Sequence, residues 1–551
     1  MGIEKTAKEL MKPSPPQAQP IARTDGKGAA TLLQTPSAIP ERTPLRAALL
    51  LAGLFATLTF LVHFASSLWG SHLGYGFYRD ELYFLVCGHH LAWGYVDQPP
   101  MVALQARLAE AIFGLSPTGI RIFSFAAGGV TVGLTGLLAW QLGGRRSAQV
   151  LAMAAVLAAP VFLGTANFLS MNSFEPCLWM GALLVVLRIA EGSAGTRAWL
   201  LFGLLAGLGM ENKDTIVFFL AALVAGLLLS PERRILWSKG CAAGVALLLL
   251  LALPNLAWQW AHHFPTYEFL NNVAHSDKNA KLPPVEFLVQ QVKVLLIINA
   301  PIWIGGLVWL IFARKARPWR FVGFTCLLLL GMMMAMHAKN YYPAPIYPVV
   351  FAAGAVAFGQ LTRRSWPLIA CAANLACVLC FATGPVVLTI LPPSEYNAYA
   401  GRFDPDSVNF DKFYGPLPQI LSDRFGWPQM VEGFASRYNA LPADIRARTG
   451  IFCANYGEAS AVNILGPQYG LPTAISGHQN YFYWGWNNDT GESMLTLGKD
   501  AKEYTGDYAE VIDLGPFDAP WIMERERLHY FWLRDRKRTF AADWPELKYW
   551  Y

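Results

Sequence analysis

Asp80 and Glu81 stand side by side in Phe77-Tyr78-Arg79-Asp80-Glu81-Leu82-Tyr83, shortly after the first long apolar run ends at Leu68-Trp69. Low dielectric near a membrane surface raises carboxylate pKa values, and such a carboxylate can act as general base toward a hydroxyl. The simpler role for either acid is to cap an interfacial helix. The loop that carries them, residues 68–118, is longer than a connector needs, and long ordered loops are usually functional. It also holds Arg79, His89, His90, Asp97 and Gln98, and Pro99-Pro100 closes it before an amphipathic stretch near 101–114 suited to the interface.

Four further groups have the right chemistry. Lys213 sits in Glu211-Asn212-Lys213-Asp214 and Lys339 in His337-Ala338-Lys339-Asn340-Tyr341-Tyr342, each at a span end where a lipid phosphate would lie. Snorkelling, or pairing of Lys213 with Glu211 or Asp214, is the plainer reading. Glu175 opens a span, favoured there by the helix dipole or serving as a second active-site acid. His262, His263 and His275, with Asp97 or Glu268, could hold a divalent metal, although no HExxH-type spacing is present. Cys377 and Cys380 form a CxxC inside a span and read as packing.

The elements that must position these residues are membrane spans. The 551-residue chain is 54% hydrophobic and 15% charged, against about 25% charged for soluble domains. Its net charge of +6 suits Lys/Arg-rich cytoplasmic loops rather than a nucleic-acid surface. Residues 1–44 read as a disordered cytoplasmic tail. Apolar runs at 45–67, 119–142, 147–164, 174–190, 197–210, 215–230, 236–260, 286–312, 319–336, 344–361 and 366–391 predict about eleven spans. Basic residues at 145–146, 188 and 197, 233–234, 314–320 and 363–364 fall in alternate connectors, which orients the N-terminus inward and the C-terminus outward. Residues 392–551 then form an outer, mixed α/β domain, with a helix within 427–448 and strands near 450–452 and 511–514. The aromatic, basic segment 532–551 would lie on the membrane or a neighbouring loop. Cys453, alone in this region, implies no disulfide framework.

Tyr78-Arg79-Asp80-Glu81-Leu82-Tyr83, followed by His90-Leu91-Ala92-Trp93-Gly94-Tyr95-Val96-Asp97-Gln98-Pro99-Pro100, resembles bacterial members of glycosyltransferase family 39, related to protein O-mannosyltransferases and lipid A aminoarabinose transferases. Lys339-Asn340-Tyr341-Tyr342-Pro343 is similar to that family's late outer turn, and the resemblance extends over about residues 45–360. It implies a GT-C fold in a bacterial inner membrane, with residues 45–391 as the catalytic domain. It also implies a polyprenyl-phosphate-sugar donor and a glycan, lipid or protein acceptor on the periplasmic face. On this resemblance Asp80 is the base, Glu175 a second acid where many relatives have Asp, and Asp97 an acid that takes part in metal binding in relatives. A donor confined to the membrane would have its phosphate met by Arg79, Lys213 or Lys339, with Trp93, Tyr341 and Tyr342 on the sugar or along the lipid groove. No cofactor is required for such a transfer. A transporter or flippase is the competing class, but it would more often show charges within spans and inverted repeats.

Overall fold

The computed structural model describes residues 44–192, 195–276, 282–403 and 415–551. The tail expected over 1–44 therefore lies outside the described residues except for Pro44. The regular elements among the described residues up to 400 are helices. Among the described residues seven helices are long and apolar enough to cross a membrane, and up to ten spans result if each of three bent pairs counts as one. The apolar run at 197–210 lies in a shorter helix, Thr196–Asn212, of 17 residues. The run at 286–312 is not the single straight span its hydropathy predicts. It is split into Pro284–Val294 and Ile297–Phe312, bent by 94°, with Leu296 in the left-handed region at φ 73°. Asn299 Nδ2 donates to the freed carbonyls of Leu295 and Ala155, both at 3.0 Å. Satisfying such groups inside the protein is what permits a break at membrane depth.

Residues expected on one side of the membrane meet at one end of the bundle. Arg145 Nη1 donates to the Arg363 carbonyl at 3.2 Å, joining two connectors far apart in sequence. Glu175, Lys213 and Tyr342 meet at the other end, where Lys213 bonds Glu175 and lies over the Tyr342 ring.

The loop after the first span folds into two helices, Arg79–His89 and Met101–Phe113. Asp80 and Glu81 in its first turn suit the first helix's positive end. Gly114, at φ 78°, stops the second. The second helix buries Val102, Ala103, Ala106 and Ala109, and leaves Leu104, Leu108 and Ile112 exposed at every fourth position. That apolar stripe is what an interfacial helix needs.

The region after residue 415 carries helices Trp427–Ala440 and Tyr456–Leu465 and a four-stranded sheet. The strands are β1 (Thr449–Ile451), β2 (Ser493–Gly498), β3 (Tyr508–Pro516) and β4 (His529–Arg536), in the order β1-β2-β4-β3. β1 runs parallel to β2, and the other pairings are antiparallel. The helix expected over 427–448 ends at Ala440 because Leu441 is extended ahead of Pro442. This region and the first loop share one apolar core, in which Leu82, Tyr83 and Leu85 pack with Val431, Phe434, Val462 and Leu495. The chain end lies on the 265–275 helix: Asn272 Nδ2 donates to the Trp550 carbonyl at 2.9 Å, and Lys548 pairs with Glu268 at 2.6 Å.

One buried ion pair anchors the loop helix to the spans. Arg121, in the helix Pro117–Gln141, donates Nε and Nη2 to the two oxygens of Glu81, each at 2.7 Å, and neither side chain is more than 1% exposed. Glu81 also accepts from the backbone N–H groups of Tyr78 at 2.7 Å and Leu169 at 2.8 Å. Removing one partner of a buried pair leaves an uncompensated charge and costs about 3–5 kcal/mol. Arg121→Met is therefore expected to lower the thermal unfolding midpoint in detergent clearly. A midpoint equal to wild type would show that the pair does not anchor the loop.

Candidate active site

Of the three consecutive charges Arg79, Asp80 and Glu81, only Asp80 is unlocked. Glu81, expected as a catalytic carboxylate, is fully buried and has four hydrogen bonds, so it is a positioning residue. Its place three residues after the helix-capping Tyr78 is the capping-box position. That spacing was the signal in the sequence.

Arg79, expected to meet a phosphate, is likewise occupied. Its Nε and Nη2 donate to Asp423 Oδ1 at 3.2 and 3.1 Å, Nη2 also donates to Glu526, and Nη1 reaches Asn455 Oδ1 at 3.4 Å. The guanidinium is 5.2 Å from the Trp427 ring centroid. Two carboxylates leave this buried cation no free face for a donor phosphate. Arg79 instead ties the loop helix to the C-terminal region. Glu458 belongs to the same cluster. Its Oε1 accepts from Asn455 Nδ2 at 2.6 Å, and Oε2 has no partner among the described residues. Burial, and then the neighbouring Glu526, push Glu458 up to about 8.

Asp80 is half-buried, and among the described residues no salt bridge holds it. Its Oδ1 accepts from the Tyr456 hydroxyl at 2.7 Å. Burial raises its pKa above the ordinary carboxylate value. The Tyr456 hydrogen bond opposes that rise, Asp423 adds to it, and Arg79 and Lys339 oppose it. A carboxylate with a raised pKa, free to accept a proton, is the form a general base takes.

The cations lie on two other turns, around Lys213 and Lys339. Lys213 Nζ donates to Glu175 Oε2 at 2.9 Å and to Asn172 Oδ1 at 2.8 Å. It sits 4.6 Å from the Tyr342 ring centroid and 5.7 Å from that of Tyr341. Glu175 also accepts from the Thr215 hydroxyl. The pairing partner of Lys213 is thus Glu175 rather than Glu211 or Asp214 within its own turn. Glu175 is 3% exposed, which places it behind the lysine rather than at an open surface. Lys339 is exposed, within electrostatic reach of Asp80.

The expected metal set does not converge. Asp97 Oδ1 accepts from the Tyr83 hydroxyl at 3.0 Å, and burial pushes it up to about 7, with Asp80 adding to the rise. His262 stacks on Trp258 at 4.0 Å with Nδ1 2.8 Å from that residue's carbonyl, and His263 takes a positive φ of 60°. Among the described residues no three His, Cys, Asp or Glu side chains gather as metal ligands would. Trp93 is 63% exposed, and its carbonyl accepts from Asn255 Nδ2 at 2.9 Å. No role was read from the sequence for Tyr456, Asp423, Asn455, Glu458 or Glu526. Their roles arise from contacts across more than 340 residues of chain.

Residues 97–258 match the family described as dolichyl-phosphate-mannose-protein mannosyltransferase. An undecaprenyl phosphate-α-4-amino-4-deoxy-L-arabinose arabinosyl transferase of Pseudomonas fluorescens is 26% identical over 188 residues, 33% of this chain and 32% of that protein. The chain thus spans about a third of that relative's length. A lipid A galacturonosyltransferase of Rhizobium johnstonii is 25% identical over 308 residues, 53% of this chain and 62% of that protein. The crystal structure of ArnT from Cupriavidus metallidurans bound to undecaprenyl phosphate superposes with a TM-score of 0.57 at 17% identity, over 87% of this chain and 97% of that one. The chain therefore shares the fold of that structure.

Glu458 gives this site a pH signature. In the unfolded chain it would release its proton near the ordinary value of 4.5, but folded it holds the proton to about 8. The folded state binds more protons between those values, so this residue's contribution to stability falls as pH rises from about 5 to 8. Glu458→Gln is expected to flatten that fall. The variant should match wild type near pH 5 and unfold at higher temperature than wild type near pH 9. Parallel pH–midpoint curves would show that Glu458 is not held protonated.

Proposed function

We propose that this chain, which belongs by fold to the GT-C group of membrane glycosyltransferases, moves a sugar from a polyprenyl-phosphate donor to a hydroxyl or phosphate of a glycan, lipid or protein acceptor. The support is the position of Asp80. It is the one charged group of the Arg79-Asp80-Glu81 run not consumed by an ion pair among the described residues, and Lys339 lies within its electrostatic reach. The names of the relatives, an undecaprenyl-phosphate-sugar transferase and a lipid A transferase, agree with this chemistry.

In this reading the donor's isoprenoid chain stays in the bilayer and its phosphate lies at the outer surface. Lys213, backed by Glu175 and flanked by Tyr341 and Tyr342, and the exposed Lys339 are the cations placed to meet it. Asp80 removes the acceptor proton as its oxygen attacks the anomeric carbon, and the polyprenyl phosphate leaves from the opposite face with inversion. Charge placed where the leaving phosphate develops lowers the barrier. The basic connectors, two of which meet through Arg145 and Arg363, support a cytoplasmic side for that end and for the N-terminus, in a bacterial inner membrane. Residues 392–551 then stand in the periplasm.

Purified protein in nanodiscs, supplied with a panel of polyprenyl-phosphate sugars and mixed acceptors, provides the test. Asp80→Asn is expected to lose roughly 100-fold or more of turnover while donor binding is retained. Turnover equal to wild type would remove Asp80 from the chemistry. Lys213→Met is expected to raise KM for the donor more than it lowers kcat, and an unchanged KM would place the phosphate elsewhere.

A further inference from the structure

Asp80 belongs to the first outer loop, but its only side-chain hydrogen bond among the described residues comes from a residue 376 positions later, Tyr456. Tyr456 is the first residue of the helix Tyr456–Leu465, and several contacts fix it in place. Asn455 caps that helix, accepting from the N–H groups of Gly457 at 3.0 Å and Glu458 at 3.1 Å, and it also accepts from Arg79. The Tyr456 N–H donates to His478 Nδ1 at 3.3 Å. Its ring lies 4.9 Å from the rings of both Tyr83 and His478. Gly457 lets the helix start approach the loop, since a Cβ there would stand 2.7 Å from Arg79 Cγ. The phenol therefore has little rotational freedom, and it donates to one oxygen of Asp80 while the other has no hydrogen-bond partner among the described residues.

We infer that Tyr456 is a positioning residue for catalysis: its hydroxyl pins Oδ1 of Asp80 so that Oδ2 faces the acceptor and takes its proton. The C-terminal region, on this inference, completes a catalytic centre that the membrane bundle and its first loop leave unfinished. The inference rests on the reading of Asp80 as the base. In the step itself the acceptor O–H proton passes to Asp80 Oδ2, the acceptor oxygen bonds the anomeric carbon, and the bond to phosphate breaks with its electron pair on the leaving oxygen. Tyr456 keeps its own proton throughout. The charged and titratable groups that face Asp80 are Tyr456 and Asp423 from the C-terminal region, Arg79 from its own helix and Lys339 from the late outer turn. Tyr78, Asp97 and Tyr341 also lie within its field. Of these, the Tyr456 hydroxyl is the group hydrogen-bonded to Asp80, and that bond favours the ionised carboxylate.

Tyr456→Phe removes the hydroxyl and keeps the ring packing, so the full-length protein is expected to unfold at nearly the wild-type temperature. Its rate–pH profile separates positioning from packing. The acid limb should move upward by about one pH unit, a roughly tenfold loss on that limb, with the deficit narrowing toward high pH and KM for the donor unchanged. An unmoved acid limb, or a uniform loss at every pH, would overturn the inference even with Asp80 still essential. If wild type is inert on every donor, the functional reading fails instead. The contact is then judged without turnover by infrared titration of the carboxylate band that Asp80→Asn removes. That band should titrate at higher pH in Tyr456→Phe than in wild type, and coincident titrations would overturn the inference.

Discussion

Successive residues on an α-helix point about 100° apart, and that constraint distributes three adjacent charges among three destinations. Arg79 turns into the C-terminal region, where Asp423 and Glu526 hold it. Glu81 turns into the bundle, where Arg121 holds it. Asp80, between them, is left with a carboxylate that, among the described residues, is hydrogen-bonded only by a neutral hydroxyl. The two flanking pairs are buried and oppositely directed, so the helix can neither roll nor slide without breaking one of them. Buried ion pairs add little net stability against a well-packed apolar alternative but are costly to break. They suit a helix that must present one side chain in one direction.

The same geometry explains why the C-terminal region is not an appendage. The loop helix buries Leu82, Tyr83, Leu85 and Val86 against residues that come from after position 427. Without those partners its apolar face would be open to water. Tyr83 shows the coupling at one residue: its hydroxyl donates to Asp97 in the same loop, and it accepts from the Asn480 N–H at 3.3 Å. Asn480 Oδ1 in turn accepts from Val96 N–H at 3.0 Å. Loop and C-terminal region order each other through a shared core and shared polar groups.

Much of the architecture was legible because lipid imposes simple rules. Long apolar runs and the alternation of Arg and Lys located the helices and gathered Arg145 and Arg363 at one end. Two runs, 147–164 and 286–312, hid breaks, since hydropathy is blind to backbone direction. The bends at Ala159-Pro160 and Ser230-Pro231 carry a proline as their signal, but the one at Leu296 does not. In the site, the carboxylate pair stood out by composition and by its place after the first span. Which member was free depended on helix phase, and the spacing from Tyr78 to Glu81 carries that information in part. Arg79 pairs with Asp423 and Glu526, which the sequence did not point to because a cation's partners can come from anywhere in the fold. Lys213 lies over the Tyr342 ring and near that of Tyr341, and Lys339 is within electrostatic reach of Asp80.

A scarcity of charge makes the surviving charges informative. In a chain with 15% charged residues, a cluster of Arg79, Asp423, Glu458 and Glu526 would be expensive if all four were ionised, since three negative charges would face one positive in a buried space. Burial answers this by keeping Glu458 protonated, so that Arg79 is balanced locally by Asp423 and Glu526, with Arg525 Nε at 3.2 Å from Glu526. The near-neutrality of that cluster matters for Asp80, one residue from Arg79. A net negative cluster there would raise the Asp80 pKa further and cost it the ionised state a base requires, whereas a net positive one would lower its basicity. The buried polar groups that hold the loop helix in place thus also set the electrostatic background in which its one free carboxylate works.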